Sequence, residues 1–156
     1  MSVIGKYLLV FLTAMAPIIE LRGAVPFGVG MDLPVLPVLI VSVLGNMVPV
    51  PFIALFIRRI FAFLRKKSHW LNDIVSKIEE RARKKAKTVK KYELLGLYIL
   101  VAIPLPGTGA WTGALVGALL NIRLKLLIPA VFAGVVTAGI IMCVISYGAS
   151  ALIGLV

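Results

Sequence analysis

Acidic residues, cysteine and histidine are all scarce in this chain. Its 156 residues include six Asp/Glu against 17 Lys/Arg, with one Cys and one His. A single cysteine excludes a disulfide framework within the chain, and a single histidine without ligand spacing excludes the usual zinc motifs. The sequence also lacks a nucleotide-binding loop, an HExxH motif and a serine elbow. We therefore expect no metal and no cofactor, and we expect that the protein is not an enzyme.

Apolar residues dominate what is present. They make up 61% of the chain, and the mean hydropathy is +1.07, whereas soluble domains are about 45–50% apolar. A membrane-spanning helix needs roughly 20 apolar residues. Residues 33–57 and 126–156 meet that length almost without charge, and residues 1–19 come close. The composition predicts an all-α integral membrane protein that forms a single domain over residues 1–156.

The positive charge is concentrated in one central segment. Between Arg58 and Lys91 the chain carries thirteen Lys/Arg and three acidic residues. Such clustering also occurs in proteins that bind nucleic acid. Beside membrane spans it is typical of a cytoplasmic segment, because cytoplasmic loops are enriched in Lys and Arg. We expect segment 58–91 to face the cytoplasm and no nucleic acid to be a partner.

Two interruptions break the apolar stretches, one in each half of the chain. The first reads Glu-Leu-Arg-Gly-Ala-Val-Pro over residues 20–26, and the second reads Pro-Leu-Pro-Gly-Thr-Gly over residues 104–109. Proline blocks helix continuation and glycine frees the backbone, so both runs should interrupt a helix. Within lipid, broken backbone is tolerated where protein or a watery cavity satisfies it. A matched pair of such breaks in two halves is typical of a transport site.

The halves partly coincide when the chain is shifted by 89 residues. The matching pairs are Pro17 with Pro106, Gly28 with Gly117, Asp32 with Asn121, and Gly45 with Gly134. Duplicated units of this kind are frequent in secondary transporters. We predict two inverted repeats, over residues 1–60 and 93–156, joined by a basic helix over residues 61–92. Each repeat comprises a re-entrant helical hairpin and a long transmembrane helix.

Helix length and charge favour a hairpin in the second repeat. Leu94–Ile103 rises only about 15 Å as a helix, half of a hydrocarbon core of about 30 Å. The hairpin also returns Arg123 and Lys125 to the cytoplasmic side, as the charge rule prefers. One continuous span kinked at the prolines is the competing interpretation. In the first repeat, the same logic makes residues 4–19 enter, 20–26 turn and 27–32 leave.

The basic helix over residues 61–92 contains no Pro or Gly and carries a rough apolar stripe at helical spacing. This pattern predicts an amphipathic helix on the inner leaflet, held by anionic lipids. A coiled-coil contact with a second subunit is the alternative.

Glu20 and Arg22 are the first candidate site residues, because charges inside a membrane are costly. Three interpretations stay open. The two side chains form an ion pair that closes the hairpin; or Glu20 takes up a proton while Arg22 holds an anionic substrate; or both are solvated at the surface. Asp32 is interpreted either as an N-cap of the following helix or as a second titratable site. The remaining candidates for a substrate or proton site are Pro26, Pro104, Pro106, Gly107, Thr108, Gly109, Asn121 and Arg123.

Residues 20–26 and the run Ile-Pro-Leu-Pro-Gly-Thr-Gly-Ala-Trp-Thr-Gly over residues 103–113 together resemble the small multi-drug export protein family of prokaryotes. The group is also similar to the DedA/VTT superfamily, which implies inverted re-entrant hairpins and lipid transport. Glu20 and Asp32 match the separation of two acidic residues in that pattern. The arginines expected around the second hairpin are replaced by Ala102 and Gly109, and Arg22 and Arg123 are the candidates to substitute for them.

Together these features predict a transporter in the prokaryotic cytoplasmic (inner) membrane. It would move an amphipathic or lipidic small molecule, either drug-like or an anionic lipid, with coupling to a proton or ion gradient. A lipid scramblase-like protein and a non-transport membrane scaffold subunit are the alternatives. The expected partners are membrane lipids, the substrate and further copies of the chain, since one chain of this size has few helices to enclose a path. We expect a homodimer or a higher homo-oligomer.

Overall fold

The computed structural model describes residues 2–105 and 107–153. For residues 87–93, 150, 152 and 153 it describes the backbone only. Within those ranges the fold is entirely helical and contains no strand. The seven helices are α1 (Val3–Met15), α2 (Glu20–Val29), α3 (Val35–Met47), α4 (Pro49–Lys67), α5 (His69–Ala102), α6 (Ala110–Leu119) and α7 (Leu124–Ile153).

The first hairpin turns earlier than the sequence predicted. Helix α1 stops at Met15 because Ala16, which precedes Pro17, is extended (φ −65°, ψ 133°), as residues before proline prefer. Pro26 lies inside α2 instead of in a turn. A proline in a helix removes one backbone hydrogen bond, and α2 continues through that loss. The first break therefore comprises residues 16–19, and the predicted turn over residues 20–26 is wrong.

Helices α2 and α6 end with the same backbone geometry, 89 residues apart. Asp32 (φ 56°) and Asn121 (φ 57°) both adopt the left-handed conformation, which Asp and Asn tolerate better than most residues. The N–H of Leu33 donates to the carbonyl of Gly28 at 3.2 Å, and the N–H of Ile122 donates to that of Gly117 at 2.9 Å. These are Schellman ends, which satisfy carbonyls that the helix leaves free. Asp32 therefore ends α2, and its expected role as N-cap of the next helix belongs to Pro34.

Each hairpin packs against long helices of both halves, since α2 also contacts α7 and α6 also contacts α4. Helices α1 and α2 contact α3, while α5 and α6 contact α7. Gly28 lies against Val38, and Gly117 lies against Leu127, again 89 residues apart. Small residues at helix contacts let backbones approach closely, which is how helices associate in lipid.

The central basic region is divided between two helices and is not one separate helix. Helix α4 continues the apolar run into the basic segment, and Ser68 is extended between α4 and α5. Arg65 on α4 pairs with Glu79 on α5 at 2.7 Å. Helix α5 then runs to Ala102, because no proline and only one glycine interrupt residues 69–102. Its Val75 and Ala82 are buried, so this face packs on protein.

Two helical stretches are long and apolar enough to cross a membrane by length and composition. They are Val35–Lys67, which joins α3 and α4, and Leu124–Ala149 within α7. Large apolar side chains on both stretches face outward, among them Ile40, Leu44, Val144 and Ile145. An extended exposed apolar surface of this kind is typical of contact with lipid or with another protein.

We predict that Gly45→Ala and Gly134→Ala each destabilise the fold by about 1–3 kcal/mol through overpacking. A Cβ atom at Gly45 would lie 2.5 Å from the Phe11 carbonyl oxygen, and one at Gly134 would lie 2.7 Å from Val101 Cβ. Thermal unfolding in detergent measures the effect. The control is Gly148→Ala, since nothing lies within 4 Å of a Cβ there. Equal melting temperatures for all three variants would contradict the prediction.

Candidate functional site

The start of α2 meets the second break, residues 103–109 between α5 and α6, through the carboxylate of Glu20. The side chain is 4% exposed, and its Oε1 accepts a hydrogen bond from the backbone N–H of Trp111 at 3.1 Å. Trp111 belongs to the first turn of α6, where backbone N–H groups have no partner within the helix. A carboxylate is favoured there because the helix N-terminus carries partial positive charge. Glu20 therefore caps a helix of the other hairpin.

Arg22 binds the other end of the second break, where α5 ends. Its guanidinium donates to the carbonyls of Leu105 and Ile103 and to Thr108 Oγ1 at 2.6 Å. Ile103 is the C-cap of α5, where carbonyls lack helical partners and a cation is favoured. Thr108 Oγ1 also lies 2.8 Å from both carbonyl oxygens. We call these contacts of Glu20 and Arg22 with the second break the hairpin tie.

Glu20 and Arg22 form no ion pair with each other in the described part of the chain. Each interacts with a helix end instead, the anion with the start of α6 and the cation with the end of α5. Both side chains are at most partly exposed, so a surface loop with solvated charges does not describe them. The structure thus gives Glu20 and Arg22 separate partners in the second hairpin in place of an ion pair with each other.

Other long side chains donate hydrogen bonds to backbone carbonyls at the remaining ends of the hairpins. The indole Nε1–H of Trp111 donates to the carbonyl of Met15, the last residue of α1, at 3.2 Å. At the far ends, Lys6 donates to the Met31 carbonyl at 2.8 Å and Arg58 donates to that of Leu119 at 3.3 Å. Cations are favoured at helix C-termini for the reason given for Arg22. Polar side chains thus bind backbone at both ends of each hairpin.

A cleft of about 620 Å³ opens beside the tie. Helix α5 contributes the cations Arg81, Lys84 and Lys85, and apolar side chains of Ile18, Ile78 and Leu115 line the rest, with Ala82, Gly107 and Thr112. Its volume lies in the range of small-molecule sites, roughly 300–1,000 Å³. We call it the basic cleft.

Two features of the basic cleft are unusual. Ile18 has φ 79° and is 96% exposed, and a β-branched residue at positive φ is strained. Lys85 donates to the Gly107 carbonyl, and partial burial, together with the positive charge of Arg22, lowers the pKa of its ammonium. Strain and displaced pKa values concentrate at functional sites. The cleft therefore combines an exposed apolar side chain with cations near the second break.

The structure brings some of the predicted site residues together and separates others. Glu20, Arg22, Pro104, Gly107, Thr108 and Gly109 lie at or beside the tie, and Pro106 lies outside the described residues. Pro26 is exposed on α2, while Asp32, Asn121 and Arg123 are exposed at the far ends of α2 and α6. Sequence reasoning missed the cations of the basic cleft. The sequence could have indicated these cations, because helical spacing places them on the face of α5 that carries Ile78 and Ala82.

The fold and site define an all-helical protein with two apolar stretches of membrane-spanning length and two hairpins joined by Glu20 and Arg22. The chain belongs to the family described as "Putative small multi-drug export protein", whose model matches residues 20–141. No curated protein matches the chain, and no solved structure does. Family and helices together indicate a membrane location and are consistent with a transporter. The resemblance to this family is confirmed, and that to the DedA/VTT superfamily stays a prediction.

We predict that Gly109→Ala disrupts the hairpin tie. Gly109 has φ 116°, a conformation that alanine rarely adopts, and its Cβ would overlap the Glu20 carboxylate. Thermal unfolding should show a loss of more than about 2 kcal/mol, from backbone strain and displacement of a buried charge. Gly30→Ala is the control, because its φ is −64° and its Cβ lies 3.6 Å or more from its neighbours. A stable Gly109→Ala protein would mean that Glu20 does not lie there.

We also predict that Arg22→Lys weakens the tie by about 1–3 kcal/mol, the cost of lost hydrogen bonds to a charged donor. A lysine ammonium is a point charge that does not reproduce the forked donors of arginine. Chemical or thermal unfolding measures the change. Arg123→Lys, at an exposed position, should leave stability unchanged, and equal stability of both variants would contradict the pairing of Arg22 with three acceptors.

Proposed function

We propose that this protein exports amphipathic molecules with an anionic head group across the cytoplasmic membrane of a prokaryote. The observation that carries the proposal is the basic cleft beside the hairpin tie. The ammonium and guanidinium groups of the cleft suit an anionic head, and its apolar walls suit a hydrocarbon or aromatic body. Family membership supports export as the direction.

In the membrane, the two hairpins would be re-entrant and the two halves inverted. Helices α2 and α6 each have ten residues and rise about 15 Å, half of a hydrocarbon core. The Schellman ends at Asp32 and Asn121 support a shared architecture of the halves. Tips that enter from opposite faces would meet near the middle of the bilayer, and the contacts of the hairpin tie support such a meeting. Segment 58–91 would face the cytoplasm, and the basic cleft would be open to that side, because Lys85 of this segment contacts the tip of the second hairpin at Gly107.

The tie would act as the gate. Glu20 holds the start of α6 through its negative charge, so uptake of a proton would weaken this interaction and let the hairpins separate. Arg22 would then be the first cation that an anionic head group meets between the hairpins. Asp32 is exposed beyond the opposite end of α2 and has no part in this gate. Two copies of the chain would enclose the path, and each would present the outward apolar surfaces described above.

Transport by the purified protein in liposomes tests the proposal. With an imposed proton gradient, an anionic amphiphile should be moved faster than a cationic amphiphile that has the same tail. Glu20→Gln keeps an acceptor for the Trp111 amide but does not titrate, so it should fold and lose the dependence on the gradient. Asp32→Asn makes the same change in charge at an exposed site, and this variant should retain the dependence of transport on the gradient.

The role of the cleft cations is tested separately, with a control pair of cations on α4. Arg81→Gln with Lys84→Gln should raise the KM for the anionic amphiphile by about tenfold or more, as expected for lost charge-assisted contacts. Arg59→Gln with Lys66→Gln removes the same charge at exposed positions of α4 and should leave KM unchanged. Gradient-dependent transport by Glu20→Gln would exclude the proposed role of Glu20 as a proton-controlled gate. Absence of transport in the parent would favour the scaffold interpretation, and gradient-independent lipid exchange would favour a scramblase-like one.

A further inference from the structure

A second, much smaller cavity is lined by Glu20 itself. About 10 Å³ of it is open to the centre of a water molecule, which is about what one water requires. Its polar lining comes from Glu20 and Arg22 on α2 and from Asn46 on α3, while Val101 and Val135 contribute apolar walls. Glu20 and Arg22 are its only titratable lining residues among those described.

Asn46 brings an unsatisfied group to this cavity. The residue is 3% exposed, and its side-chain oxygen Oδ1 is buried without a hydrogen-bond partner. Buried polar groups are nearly always paired, with protein or with ordered water, because an unpaired acceptor costs free energy. Apart from Ser42 and Asn46, the side chains of α3 are apolar. An amide in that position needs a donor, and the adjacent cavity is the space from which a donor can reach it.

Two kinds of occupant fit a space of this size between a carboxylate and an amide oxygen. A bare monovalent cation has suitable oxygen ligands in Glu20 and Asn46, but the guanidinium of Arg22 lines the same cavity and would repel it. A water molecule carries two donors and is neutral, so Arg22 does not oppose it. The electrostatics of the cavity therefore select water.

We propose that one ordered water occupies this cavity and donates hydrogen bonds to both Asn46 Oδ1 and the Glu20 carboxylate. The water extends the hairpin tie to α3, so that Asn46 is a positioning residue for Glu20. It also fits both protonation states of Glu20. When the carboxyl is protonated, its O–H donates to the water oxygen, and the water continues to donate to Asn46. The water site does not depend on the proposed transport function.

The matched control lies one helical turn earlier. Ser42 is fully buried and its Oγ also has no hydrogen-bond partner, but Ser42 does not line the cavity. Asn46→Leu removes the amide oxygen at similar volume, and Ser42→Ala removes the other unpaired oxygen. The two variants therefore separate the effect of any lost buried polar atom from the loss of the water site.

Infrared difference spectra of the purified full-length protein between neutral and acid pH test the proposal. The parent should show a carboxyl band that Glu20→Gln lacks, and an ordered-water O–H band that shifts in H₂¹⁸O. Asn46→Leu should lose the water band, shift the carboxyl band and melt at a lower temperature. Ser42→Ala should keep both bands. Asn46→Ala removes the same oxygen without added bulk and replaces Asn46→Leu if that variant does not fold.

Three results would overturn the inference. A parent spectrum without an isotope-sensitive water band would mean that the cavity is dry. An unchanged carboxyl band in Asn46→Leu would mean that Asn46 does not position Glu20. A higher melting temperature for Asn46→Leu than for the parent would mean that the amide oxygen is unpaired, because removing an orphaned acceptor relieves its desolvation cost.

Discussion

Unpaired backbone groups at helix ends impose the constraint on which this structure depends. Every helix leaves N–H groups at its start and carbonyls at its end, and a chain that breaks inside lipid has no bulk water to satisfy them. Here side chains from distant parts of the sequence take that role. Glu20 binds the start of α6, Arg22 the end of α5, and Trp111 the end of α1. The charges that look most out of place in an apolar chain are therefore the ones that permit its breaks.

A structural role for Glu20 and Arg22 does not compete with a functional one. A carboxylate that holds a helix by its charge loses that hold when it is neutralised, so the same interaction is suited both to stability and to switching. The free energy at stake is modest, since charge at a helix terminus contributes about 0.3–2 kcal/mol. A change of that size shifts a population of conformers appreciably, as about 1.4 kcal/mol corresponds to a factor of ten.

Much of this site could be predicted from the helix-breaking residues and the charged residues of the sequence. The second break followed from its prolines and glycines, and the importance of Glu20 and Arg22 followed from the cost of charge in lipid. Proline alone did not locate the first turn, because Pro17 ends a helix whereas Pro26 is accommodated within one. The partners of Glu20 and Arg22 lie more than 80 residues away and are mostly backbone atoms, which leave no side-chain signature. Asn46 was missed since one amide does not alter the hydropathy of its segment.

The Schellman ends and glycine contacts make the two halves look alike, yet the hairpin tie treats them differently. The first half contributes the ionisable side chains Glu20 and Arg22, whereas the second contributes mainly main-chain donors and acceptors, with Trp111 as its return contact. Two copies of the first half alone would therefore each present a carboxylate and a guanidinium, and both recipient helix termini, the start of α6 and the end of α5, would be missing. The two halves are therefore not interchangeable in the tie, because one supplies the charged groups and the other supplies the helix termini that they bind.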